Sequence, residues 1–149
     1  MSLSDHFTLA ELTKSQTAAR LGIDNTPSDA AIANLASMCD DILEPIRAHY
    51  GVPFSPSSAY RSEALNRAIG GSFTSSHLLG LAVDIEVPGV SNPDLARWVQ
   101  KNLVYDQVIL ECWTSEPGSG WVHIGDAVEP RGQVLTYTRG KGYMNGLPA

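Results

Sequence analysis

Apolar residues at Ile32, Leu35, Cys39, Ile42 and Ile46 recur at intervals of 3, 4, 3 and 4 residues, the repeat of one face of an α-helix. The helix is predicted to open at Thr26-Pro27-Ser28-Asp29, with Thr26 as its cap, Pro27 in the first turn and Asp29 at the positive end of the helix dipole. Pro45 lies inside the pattern and lacks a backbone donor, so a kink or an early end is expected there, before Gly51 finishes the element. Upstream, Thr8 and Glu11 stand at capping-box spacing ahead of a short helix. A second helix is predicted from Ser15 to Arg20, stopped by Gly22.

From Val52 the period shortens. Runs rich in β-branched and aromatic residues predict strands at Phe54–Arg61, Leu81–Val87, Gln107–Cys112, Trp121–Ile124 and Val134–Thr138. Two helices interrupt them. One is capped by Ser62 and ends near Gly70-Gly71; the other starts at Ser91-Asn92-Pro93-Asp94 and carries Leu95, Trp98, Val99 and Leu103. The loop TSEPGSG joins the strand of Glu111 to the strand of His123 and predicts that the two pair as antiparallel neighbours. The expected fold class is α+β, a small antiparallel sheet packed on N-terminal helices. It forms a single domain over 1–149, helical over 1–51 and mixed over 52–149.

Composition narrows the partners. A chain of 149 residues, 43% hydrophobic and 17% charged, is the size and balance of one ordinary globular domain. Its net charge of −6 and its lack of any Lys/Arg run argue against nucleic acid and against an anionic membrane surface, both of which need a basic footprint. MSLSDHFTLAEL lacks the basic segment and apolar core of a signal peptide, so cytoplasmic synthesis without such export is expected. Cys39 falls among the apolar positions of a helix and Cys112 beside a strand, which reads as two reduced thiols rather than a disulfide. No feature of the chain indicates an oligomeric state.

The stretch SSHLLGLAVD sets His77 seven residues ahead of Asp84, and Asp84 lies in an otherwise apolar strand. Strand alternation puts Ala82, Asp84 and Glu86 on one face and Val83, Ile85 and Val87 on the other. Gly80 allows the turn that brings His77 back over the polar face, and His123 points away from its apolar neighbours Val122 and Ile124. Taken singly, a strand histidine is more often an ordinary core or surface residue, and a strand aspartate a turn or salt-bridge group. Together, two imidazoles and a carboxylate on one sheet face form the three-ligand set of a catalytic zinc. The other histidines, His6 and His49, fall in helical contexts away from this group.

The motif Ser75-x-His77-x-x-Gly80-x-Ala82-x-Asp84, with Ser58-Ala59-Tyr60-Arg61-Ser62 before it and Trp121-Val122-His123 after it, resembles the zinc D-Ala-D-Ala metallopeptidases. That family includes D,D-carboxypeptidases, vancomycin-resistance dipeptidases and phage L-Ala-D-Glu endolysins, and shares its core with lysostaphin and hedgehog domains. The opening HFTLAELTKSQTAARLGIDN and the helix ending DDILEPIRAHYG resemble a branch common in phage and prophage proteins. The likeness runs from about His6 to Ile124.

The resemblance implies one zinc per chain on His77, Asp84 and His123, a substrate contact at Ser75, and Arg61 as the group that binds the substrate carboxylate or polarises the scissile carbonyl. In many relatives an acidic residue stands three places before the last histidine. Here that place is Gly120, so the general base must come from elsewhere. Glu111 is expected to serve, from the strand paired with that of His123, in preference to Glu116 in a turn-like loop. The implied activity is hydrolysis of a peptide bond in the peptidoglycan stem peptide by a D,D-carboxypeptidase or an L-Ala-D-Glu-type endopeptidase, possessed of the character of a phage endolysin and acting on the wall after release. The alternatives are a zinc-bearing domain without activity, of the hedgehog kind, and a structural component of a phage particle.

Overall fold

The computed structural model describes residues 1–116 and 118–149. Six α-helices are described: α1 (Leu9–Thr13), α2 (Gln16–Leu21), α3 (Asp29–Met38), α4 (Glu44–Tyr50), α5 (Glu63–Ala68) and α6 (Asn92–Asn102). The strands are β1 (Ala82–Ile85), β2 (Gln107–Glu111), β3 (Trp121–Gly125), β4 (Gln133–Thr138) and β5 (Gly142–Asn145), in one sheet of order β1-β3-β2-β4-β5. The α+β class follows directly from this arrangement.

The N-terminal helices obey local chemistry. The Thr8 hydroxyl accepts from the Glu11 N–H while the Glu11 carboxylate accepts from the Thr8 N–H, closing the capping box. At α3 the cap is Ser28, whose Oγ accepts from the Ala31 N–H; Thr26 and Pro27 lie outside the helix, a shift of two residues from the sequence expectation. Pro45 brings neither a break nor an end. Ahead of it Cys39–Leu43 forms one wide π turn, in which the Glu44 N–H donates to the Cys39 carbonyl five residues back. Pro45 then sits in the first turn of α4, where its missing donor costs nothing. Leu35, Cys39, Ile42 and Ile46 are fully buried on the expected face; Ile32 is half-buried, and Ala31 and Met38 complete the contact.

The segment Phe54–Arg61 is extended but forms no strand. It makes a single bridge, Ser58 to Asp84, through Asp84 N–H to Ser58 O (2.8 Å) and Ser57 N–H to Asp84 O (2.9 Å). Pro56 has no donor, and two further N–H groups turn away from the sheet, Tyr60 to Leu12 O and Arg61 to His77 O.

The sheet's two faces separate sharply. Val83, Ile85, Val108, Leu110, Val122 and Ile124 are fully buried in the core with Leu35, Ile42, Ile46, Leu95 and Val99. Burial of each such large side chain stabilises the fold by roughly 1.5–3 kcal/mol. Three of the four strand pairings are antiparallel, including β2 with β3; β2 and β4 run parallel, so the sheet is mixed rather than wholly antiparallel. The approach to β4 is held by Arg131, which forks onto Asp106 through Nε (3.0 Å) and Nη2 (2.9 Å). Cys39 is buried and Cys112 half-buried, and both thiols are free; burial pushes the Cys39 thiol up to about 11.

Candidate metal centre and active-site cleft

Register builds the site on the polar face. Asp84 of β1 lies opposite His123 of β3, and His123 lies opposite Ile109 of β2, so alternation carries Glu111 to the same face two residues along β2. Pairing continues to Tyr137 and then Tyr143 on β4 and β5. His77 arrives from outside the sheet. It sits in a 3-10 turn, Ser76–Leu79, capped by Ser75 and closed by Gly80 at φ +72°. A Cβ on Gly80 would meet the Ala31 carbonyl at 2.7 Å, so the turn rests directly on α3.

His77, Asp84 and His123 each offer one ligand atom, all within 4.8 Å of one another; among the described residues this is the one such group. His77 Nε2 is 3.3 Å from Asp84 Oδ2, and His123 Nδ1 is 3.0 Å from Asp84 Oδ1. The donor chemistry fits a divalent metal. His77 Nδ1 donates to the Ala59 carbonyl at 2.6 Å, which fixes the tautomer and leaves Nε2 free as a ligand atom. Burial opposes ionisation of Asp84, but the hydrogen bonds to His123 and His77 outweigh it and hold the carboxyl well below the usual range. His6 stands just ahead of α1 and pairs with Glu44 at 2.6 Å, while His49 stacks on Trp98, ring centroids 4.5 Å apart.

The three residues line a cleft of about 680 Å³ together with Arg61, Ser75, Glu111 and Tyr143. Arg61 Nη2 donates to Ser75 Oγ at 3.2 Å, while its Nε is buried without a partner. Burial lowers the Arg61 pKa, with Asp84 acting in the opposite sense. Burial likewise pushes the Glu111 carboxyl above its ordinary value, with His123 opposing and Asp84 reinforcing. Glu116 is exposed and does not line the cleft; its carbonyl accepts from Ser119. The two acids named from the sequence are thus separated, Glu111 inside and Glu116 outside.

Two features of the site were not read from the sequence. Tyr143 reaches the cleft from β5, a strand of four residues that begins at Gly142, is followed by Gly146 and carries no alternating apolar signal. Asn92, seen only as part of a helix start, is buried and donates through Nδ2 to the carbonyls of Ser119 and Gly120, each at 3.0 Å. It thereby ties the N-terminus of α6 to the entry of β3, two residues before His123.

A cleft with two imidazoles and a carboxylate clustered beside a second carboxylate and a guanidinium has the parts of a metal-dependent hydrolase. The family model described as Peptidase M15 matches residues 5–125, and the chain belongs to this family of zinc-dependent metallopeptidases. No curated protein matches the chain.

Proposed function

We propose that the protein is a zinc-dependent peptidase of the bacterial cell wall, hydrolysing a peptide bond of the peptidoglycan stem peptide. The observation that carries this reading is the convergence of His77, Asp84 and His123 with Glu111 and Arg61 in one cleft. His77, Asp84 and His123 would hold the metal. When bound, it supplies a Lewis acid that brings the pKa of water down to roughly 7 and polarises a carbonyl.

The chain's own residues supply the rest. Glu111 takes the proton of the attacking water and delivers it to the departing amine, so that proton balance closes within one turnover. Arg61 holds the substrate carboxylate or the oxygen on which negative charge develops, and burial strengthens that interaction. Ser75, held by Arg61, presents its hydroxyl on the same wall.

Within this reading the bond is that of a D,D-carboxypeptidase or of an L-Ala-D-Glu-type endopeptidase, and an endolysin of phage origin is the setting that the sequence likeness favours. Digestion of purified sacculi followed by mass spectrometry of the released fragments and of the remaining stem peptides tests it. New termini identify the bond; stem peptides unchanged after incubation with zinc-loaded protein would support an interaction domain without activity instead.

A further inference from the structure

A second cavity, of about 770 Å³, lies on the other side of Arg61, and Arg61 is the one residue that lines both. The wall between them is the extended segment whose Ser57 and Ser58 bond to the backbone of Asp84. This segment and Arg61 thus separate the cavity from the metal group.

Its lining has a definite chemistry. Leu65, Ile69 and Tyr60 provide an apolar wall, and Ile69 is left 43% exposed there. Lys14 and Arg61 are its charged groups, and no Asp or Glu lines it. Three acids stand just outside the lining: Glu11, hydrogen-bonded to Thr8 and Ser55, lies near Lys14, and Asp24 and Glu63 lie near Tyr60. Lys14 makes no direct ion pair among the described residues, and Glu11 acts on it only through space. With both lining charges positive and the acids outside the lining, the groove has a place for an anion at Lys14, and its apolar wall suits an aliphatic stem beneath it.

Resting on the peptidase reading, we infer that this groove is a second substrate site. It takes the part of the peptide remote from the cleaved bond, with Lys14 as counter-ion to a carboxylate on a short aliphatic side chain or chain end. A peptide crossing Arg61 would then be held on both sides of the scissile bond, and remote binding of this kind fixes the reacting bond in position.

The test uses soluble muropeptides released from sacculi by a muramidase, and the same muropeptides with their carboxyls amidated. Binding to the zinc-loaded Glu111→Gln protein is measured by calorimetry, with and without Lys14→Ala. Lys101→Ala, a charge loss on the exposed side of α6, is the control. Removal of Lys14 should weaken binding of the native muropeptides roughly five- to tenfold, the scale of one charge-assisted contact at an exposed site. Amidation should weaken binding more in the Lys14-containing protein than in Lys14→Ala, since any carboxylate contact with Arg61 is common to both, and in turnover the loss on removing Lys14 should fall on KM. Equal affinity with and without Lys14, indifference to amidation, or the same loss in Lys101→Ala would overturn the inference. Hydrolysis of sacculi without Lys14 dependence leaves the peptidase reading standing and removes the groove; Lys14-dependent binding by parental protein that hydrolyses nothing removes the peptidase reading and leaves the groove a muropeptide-binding site but not a substrate site.

Discussion

The carbonyl oxygen of Glu111 fills the space that a Cβ on Gly120 would need, and Gly120 adopts φ +70°. No side chain fits at this position, which is where many relatives are expected to carry their acid. The close approach seals the end of the β2–β3 connection and holds Glu111 against the strand of His123. Gly120→Asp, which recreates the acid, should destabilise the protein by roughly 2–4 kcal/mol through the clash and the left-handed backbone, and should not raise turnover. An unchanged urea midpoint would show that the connection relaxes freely.

Metal content is the second expectation. Protein prepared with zinc and without chelator should carry one zinc per chain by elemental analysis. His123→Ala and Asp84→Ala should lower affinity strongly, since each removes one of three protein ligands. Zinc bound as tightly by His123→Ala as by the parent would remove the assignment.

Arg61→Ala should reduce kcat/KM by about 10²-fold while zinc content persists, because it removes a half-buried positive charge without touching the metal group. Arg61→Lys should recover little, since an ammonium cannot reproduce a planar fork that reaches both Ser75 and substrate. Near-parental rates in both would reduce Arg61 to a structural role.

The Asp106–Arg131 fork gives a pH dependence of stability. Hydrogen bonds from the Arg131 side chain hold the Asp106 carboxyl below its ordinary value, against the opposing effect of burial. A depressed carboxylate contributes its full stabilisation above the unfolded-state pKa, near pH 4, and loses it as pH falls through the folded value. Asp106→Asn should therefore cost about 0.5–1 kcal/mol at neutral pH, a modest figure because Arg131 is largely exposed, and the gap from the parent should close in acid. Equal gaps at pH 7 and pH 3 in urea titrations would exclude the electrostatic origin.

The parts of the fold legible in the sequence were those fixed by local chemistry. Helix caps at Thr8, Ser62 and Ser91 and strand alternation around Asp84 depend on neighbouring residues alone, and they place the His77–Asp84–His123 face correctly. The misread parts depend on distant partners. Phe54–Arg61 has strand-like residues, but Pro56 lacks a donor and the N–H groups of Tyr60 and Arg61 are claimed by α1 and by the 3-10 turn. The parallel pairing of β4 with β2 is invisible because alternation does not encode direction, and β5, largely exposed, offers no apolar period at all.

The general base gives the sharpest comparison. Glu111 lies in the cleft, raised by burial above its ordinary pKa, and Glu116 lies outside on the exposed connection. Glu111→Gln keeps size and shape but removes the basic site, so folding and zinc content should persist while hydrolysis falls roughly 10²–10⁴-fold, the range of a general acid–base group. Glu116→Gln should be nearly silent. Both substitutions remove one negative charge from the same β2–β3 hairpin, so a general electrostatic loss of zinc affinity would affect the two alike and would register in the metal content. Full activity of Glu111→Gln on sacculi with zinc retained would mean that the proton is taken by another group, and loss of activity in Glu116→Gln alone would place that group on the connection.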